Sequence, residues 1–142
     1  MAEIVFDPSF PVEVQKLISP YLDKWKFLIP GWVQTLFLMF EYESSDGTVI
    51  ENISSYEYRR TTLIVYPYWL KHNFFEEQFL VHDLIHTFYS PVYYYAQSVI
   101  DSSVPDDNFA KSILKDTITQ YNESATQDLT KVMMELMGKL NK

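Results

Sequence analysis

The chain has 142 residues, enough for one compact hydrophobic core and too few for two independent large domains. Eleven Lys and Arg residues stand against 19 Asp and Glu residues, a formal net charge of −8 that disfavours binding to a nucleic-acid backbone. Cysteine is absent, which excludes disulfide bonds, thiolate metal sites and a cysteine nucleophile. Any metal ligand must therefore come from His, Asp or Glu.

The first residues lack the features of a secretory signal. They carry Glu3 and Asp7 and have neither a basic nor a long apolar region. The most apolar window, residues 27–40, contains Pro30 and Gly31 and is too short to span a bilayer. We therefore expect a cytoplasmic protein without a membrane span, folded as a single domain over residues 1–142.

The first half of the chain predicts one helix and three strands. A helix is expected to begin at Pro11 and end before Pro30, with apolar residues at Val14, Leu17, Ile18, Tyr21, Leu22 and Trp25. Strands are predicted at residues 32–43, 48–58 and 61–65, and residues 44–47 (SSDG) resemble a hairpin loop. These strands predict a small three-stranded antiparallel sheet.

The second half predicts helices. A central helix over residues 74–89 has a predicted core face of Phe75, Leu80, Val81, Leu84, Ile85 and Phe88. Ser90 and Pro91 are expected to end it, before a short helix at residues 92–100. A long last helix, residues 109–138, has an apolar stripe of Ile118, Tyr121, Ala125, Leu129, Val132 and Leu136. The predicted fold class is α+β.

Two of the three histidines, His82 and His86, lie in the sequence HDLIH inside the central helix. Four residues along a helix correspond to about 40° of rotation and about 6 Å of rise, so both imidazoles project from one side. Two imidazoles in this arrangement can bind one tetrahedral cation, and Zn²⁺ is the expected metal. His72, before the helix, is expected to be a loop residue.

The sequence HDLIH resembles HExxH, the signature of the zincin metallopeptidases, with Asp83 in place of the usual Glu. The resemblance implies that His82 and His86 are zinc ligands and that Asp83 acts as the general base. In the gluzincin branch a Glu on a following helix is the third ligand, and Glu123 is the best match. A helix, a small sheet, the histidine helix and a glutamate helix follow the order of elements in minimal zincins.

Glu123 has polar helix neighbours, which fit either a solvated surface or a polar face turned towards a metal-binding cleft. Asp116 and Glu135 remain alternative third ligands. Asp83 is shorter than Glu by about 1.5 Å, and a displacement of about 1 Å can cost a catalytic group about a hundredfold in rate. Metal binding and catalysis are therefore predicted separately.

Three functions fit these features. The first is a zinc-dependent metallopeptidase that hydrolyses peptide bonds and pairs its substrate with the sheet edge. The second is a catalytically inactive zincin-fold protein that binds a protein partner. The third is a small acidic interaction module or inhibitor without metal, suggested by the charge of −8. Arg59 and Arg60 are interpreted as a solvated turn, or as a clamp for a substrate carboxylate.

Overall fold

A computed structural model describes residues 1–43, 48–67, 77–106 and 108–140. The chain divides into two compact units, Met1–Phe88 and Tyr89–Lys142. The described residues contain three α-helices and a four-stranded mixed sheet, so the predicted α+β class is confirmed. In this part of the chain we find no helix with both the length and the apolar character needed to cross a bilayer. A single domain over residues 1–142 stays a prediction.

All four strands belong to the first unit: β1 (Glu3–Phe6), β2 (Thr35–Phe40), β3 (Ile50–Ser55) and β4 (Arg60–Val65). Their order across the sheet is β1-β2-β4-β3. β2 is parallel to both β1 and β4, whereas β3 is antiparallel to β4. The connection from β1 to β2 contains a helix, as a parallel pair of neighbouring strands requires.

The predicted three-stranded antiparallel sheet is therefore wrong in strand number and in pairing. β1 was not predicted, and β2 and β3 are separated by β4 instead of forming a hairpin. Strand pairing is decided by contacts between distant segments, and neighbours in sequence are not always neighbours in a sheet. The predicted hairpin loop at residues 44–47 lies outside the described residues.

Helix α1 (Val12–Trp25) follows Pro11 and is extended by a short 3-10 helix, Lys26–Leu28. This confirms the predicted first helix, because Val14, Ile18, Leu22 and Trp25 are at most 2% exposed. The indole of Trp25 donates a 2.5 Å hydrogen bond to the carboxylate of Glu77 at the beginning of the next helix. The bond joins the two helices of the first unit.

Helix α2 (Glu77–Ser103) continues through Pro91, so the predicted break at this proline is wrong. A proline removes one backbone hydrogen bond and crowds the preceding turn, but bonds on both sides can hold a long helix together. The predicted core face is confirmed at Leu80, Val81, Leu84 and Ile85, which are at most 2% exposed. Phe88 is 60% exposed and does not belong to the core. Phe75 lies outside the described residues.

The second unit contains the C-terminal part of α2 and helix α3 (Phe109–Leu140). The predicted apolar stripe of α3 is not its buried face: Tyr121 is 72% exposed, and Val132 and Leu136 are each 49% exposed. Thr126 and Thr130 are buried instead. Their hydroxyls donate 2.7 Å hydrogen bonds to carbonyl oxygens four residues earlier, which satisfies these polar groups without water.

Ion pairs hold the connection between α2 and α3 inside the second unit. The side chain of Lys111 is buried, and its ammonium group contacts the carboxylates of Asp101 and Asp106. Lys115 pairs with Asp101 at 2.8 Å. The hydrogen bond from Lys115 is the main cause that lowers the pKa of Asp101, and Asp106 is the main cause that raises the pKa of Lys111. Each charge therefore stabilises its partner's ionised form.

Candidate metal centre

His82 and His86 lie next to each other on α2, in its part within the first unit, as the sequence predicted. Their Nε2 atoms are 3.0 Å apart, and both side chains are half-buried. The ring centroids are 4.6 Å apart, and the two ring planes are nearly perpendicular. Both Nε2 atoms therefore point to the same position beside the helix.

This separation can be compared with what a metal requires. Two imidazole nitrogens bound to Zn²⁺ at about 2.0–2.1 Å and at the tetrahedral angle are about 3.3 Å apart. The observed 3.0 Å is within a few tenths of an ångström of that value. The same distance also fits a hydrogen bond between the rings when one Nε2 carries a proton and the other does not. If both rings carry their proton on Nδ1, both Nε2 lone pairs are free to bind a metal.

Asp83, the predicted base, lies between the two histidines in sequence and is 8% exposed. Its backbone is held by the first unit's sheet, because the Asn52 side-chain amide donates a 2.8 Å hydrogen bond to the Asp83 carbonyl oxygen. The same amide donates a 2.7 Å bond to the hydroxyl of Thr87, which in turn donates to the Asp83 carbonyl at 3.2 Å. Asn52 on β3 thus fixes the helix turn that carries both histidines.

The orientation of Asn52 is itself set from within the sheet. Ser54 donates a 2.8 Å hydrogen bond to Oδ1 of Asn52, and its hydroxyl lies 3.0 Å from that of Thr61. This group of polar residues was not predicted from the sequence. The signal was their position: Asn52 and Ser54 follow Ile50 at every second residue and share the buried face of β3 with it, where apolar residues are usual.

Strand β3 has one neighbour in the described sheet, β4, and its other side is an edge. Asn52 connects this edge strand to the histidine-bearing part of α2. An exposed strand edge is a surface to which an extended peptide can add as a further strand. Asn52 thus links β3, at the edge of the described sheet, to the helix turn that carries the histidines.

Glu123, the predicted third ligand, lies on α3 in the second unit. Thr126 and Thr130 follow it at helical spacing on the same side and are buried, which argues against a fully solvated face. Asp116 lies about two turns earlier on this side, whereas Glu135 is rotated by about 120° around the helix. The choice of third ligand stays a prediction. His72 lies outside the described residues.

Comparisons with known proteins identify no family for this chain. No family model, curated protein or solved structure matches it. The resemblance to zincins therefore rests on the sequence HDLIH and stays a prediction.

Proposed function

We propose that this protein binds Zn²⁺ through His82, His86 and Glu123 and hydrolyses peptide bonds slowly, with Asp83 as the general base. The observation that carries the proposal is the 3.0 Å separation of the two histidine Nε2 atoms on α2. The two Nε2 atoms of this half-buried pair are close enough to share one cation. A bound cation would use the lone pairs of both Nε2 atoms.

The types of ligand also favour zinc. Two imidazoles and one carboxylate are a known ligand set of catalytic zinc, in which a fourth position stays open. His82 and His86 would supply the imidazoles, and Glu123 is the carboxylate that the zincin resemblance implies. Thr126 and Thr130 lie on the same side of α3 as Glu123 and are buried, which supports a role for Glu123 other than that of a fully solvated residue.

Zinc, when bound, would supply Lewis-acid activation of water and of the substrate carbonyl. Asp83 is the nearest acidic residue in sequence to both histidines and would accept the proton that water loses. Asn52 holds the turn of α2 that carries Asp83. A movement of this turn therefore cannot easily compensate for the shorter reach of Asp83 compared with Glu. We therefore expect zinc binding to be intact and hydrolysis to be about a hundredfold below that of a Glu-containing site.

A peptide is the proposed substrate, on the basis of the zincin resemblance and of β3, which is an edge strand of the described sheet. An extended peptide that pairs with β3 would place its backbone beside the strand that carries Asn52. This would bring a scissile bond near the histidine-bearing part of α2.

Metal content is the first test. Untagged protein is purified and its zinc measured by elemental mass spectrometry, beside the variants His86→Ala and Glu123→Gln. We expect about one zinc per chain in the parent and a large loss in His86→Ala. Asp116→Asn and Glu135→Gln test the two alternative third ligands, and each removes one carboxylate charge from α3 as Glu123→Gln does. Absence of zinc in the parent, even after incubation with zinc, would refute the proposal.

Hydrolysis is tested separately with Asp83→Glu, using a quenched fluorescent peptide library and Asp83→Asn as the control. If the short reach of Asp83 is all that limits hydrolysis, Asp83→Glu should raise kcat/KM about a hundredfold. Asp83→Asn should lower kcat/KM. A second candidate function is a metal-binding but catalytically inactive partner-binding protein, which Asp83 itself favours. Zinc binding without any gain in Asp83→Glu would support this second function.

A further inference from the structure

A cavity of about 480 Å³ lies in the first unit, apart from the histidines. The residues lining it include Lys26, Phe27, Ile29, Val33, Gln34 and Arg59. Its volume is within the range of small-molecule sites, about 300–1,000 Å³. None of His82, Asp83 and His86 lines it, so it needs an explanation of its own.

Arg59 is the unusual residue of this cavity. Its φ is 51°, in the left-handed region that glycine and asparagine normally occupy. The backbone is held there by three hydrogen bonds: its N–H donates to Tyr56 at 3.1 Å, and its carbonyl accepts from Gln34 at 2.7 Å and Thr35 at 3.2 Å. An arginine in a position suited to glycine points to a use for the side chain.

The charge of the cavity is opposite to that of the protein. Lys26 and Arg59 are cationic, and none of the described lining residues is acidic, although the whole chain has a net charge of −8. Lys26 has a long ion pair of 3.9 Å with the exposed Asp23, which competes weakly for its charge. The cavity is thus a local positive site that attracts an anion.

The remaining lining is largely apolar. Phe27 is 55% exposed although it is a large aromatic residue, and the half-buried Ile29 and Pro30 contribute further apolar surface. An inorganic anion would leave this surface in contact with water. A ligand with both a charged group and an apolar body uses the whole cavity.

We propose that this cavity binds a small organic carboxylate with an aromatic body. Arg59 is the principal carboxylate-binding residue, because a guanidinium can donate two parallel hydrogen bonds to a carboxylate. Lys26 adds a second positive charge, and Phe27 packs against the aromatic body. The site is independent of zinc and of peptide hydrolysis.

The neighbouring Arg60 provides a matched control. Its guanidinium lies 4.5 Å from the ring centroid of Phe37 in a cation–π contact, and it does not line the cavity. Removing either arginine changes the net charge by the same amount. Only the removal of Arg59 removes a cavity residue.

The probe is 4-phenylbutyrate, titrated into the full-length protein and followed by the backbone amide signals of Gly31, Gln34 and Arg59. We expect saturable shifts with a Kd of about 1 mM or tighter, as for a ligand of this size. Its uncharged amide analogue tests the carboxylate, and inorganic phosphate tests the apolar body. Each should bind at least about tenfold more weakly than 4-phenylbutyrate.

The variants Arg59→Gly and Arg59→Asn remove the guanidinium and keep a residue that tolerates the left-handed backbone, so both are expected to fold. Each should weaken 4-phenylbutyrate binding at least about tenfold, whereas Arg60→Gln should leave Kd within about twofold. Lys26→Gln should give an intermediate loss. Absence of saturable binding, equal binding of the amide or of phosphate, or unchanged binding in both Arg59 variants would each overturn the proposal.

Discussion

The hydrogen bonds of Asn52 give a quantitative test of how β3 holds the histidine-bearing part of α2. Asn52→Ala removes the 2.8 Å bond to the Asp83 carbonyl and the 2.7 Å bond to the Thr87 hydroxyl. At about 1 kcal/mol for each bond, and somewhat more because the Thr87 side chain that loses its partner is fully buried, the free energy of unfolding should fall by about 2–3 kcal/mol. Ser55 lies three residues after Asn52, on the opposite face of β3. Ser55→Ala should change the free energy of unfolding by less than about 0.5 kcal/mol.

The measurement is urea unfolding of the parent and variants, with circular dichroism as the signal. Thr87→Val, which keeps the shape and removes the hydroxyl, completes a double-mutant cycle with Asn52→Ala. The coupling energy should be about 1 kcal/mol, since the two side chains share one bond. The reasoning is refuted if Asn52→Ala unfolds within about 0.5 kcal/mol of the parent, or if the two substitutions are fully additive.

Three further outcomes are expected. The hydrogen bond from Lys115 is the main cause that lowers the pKa of Asp101 in the folded protein. Asp101 therefore stabilises the fold at pH values above its ordinary pKa of 3.8, and this stabilisation is lost as the pH falls through the lowered pKa of the folded state. Asp101→Asn should make the free energy of unfolding depend less on pH in this acidic range. Leu84→Ala should lower the free energy of unfolding by about 2–5 kcal/mol, because Leu84 is fully buried. Phe88→Ala, at an exposed position, should lower it by less than about 1 kcal/mol. Equal losses in the two variants would contradict the observed core. Pro91→Ala should raise the melting temperature, because alanine restores a backbone hydrogen bond inside α2, and a lower value would show that the proline is needed there.

The features that the sequence determined are those set by local spacing. The apolar positions of α1 recur every three or four residues, so its extent and its buried face follow from helix geometry. The proximity of His82 and His86 is fixed in the same way, because residues four apart on any helix are neighbours. The proximity of these two candidate metal ligands could therefore be predicted from the sequence alone.

Other features depended on contacts between distant segments. The strand β4 lies between β2 and β3, and β1 joins the sheet beside β2, which no local pattern specifies. On α3, spacing alone gave an apolar and a polar side, but only the folded chain showed that Thr126 is buried and Tyr121 is exposed. The link from Asn52 to α2 joins residues 31 and 35 positions apart. Local periodicity determines which side chains share one face of a helix or strand. Which other element packs against that face depends on the free energy of the whole folded chain.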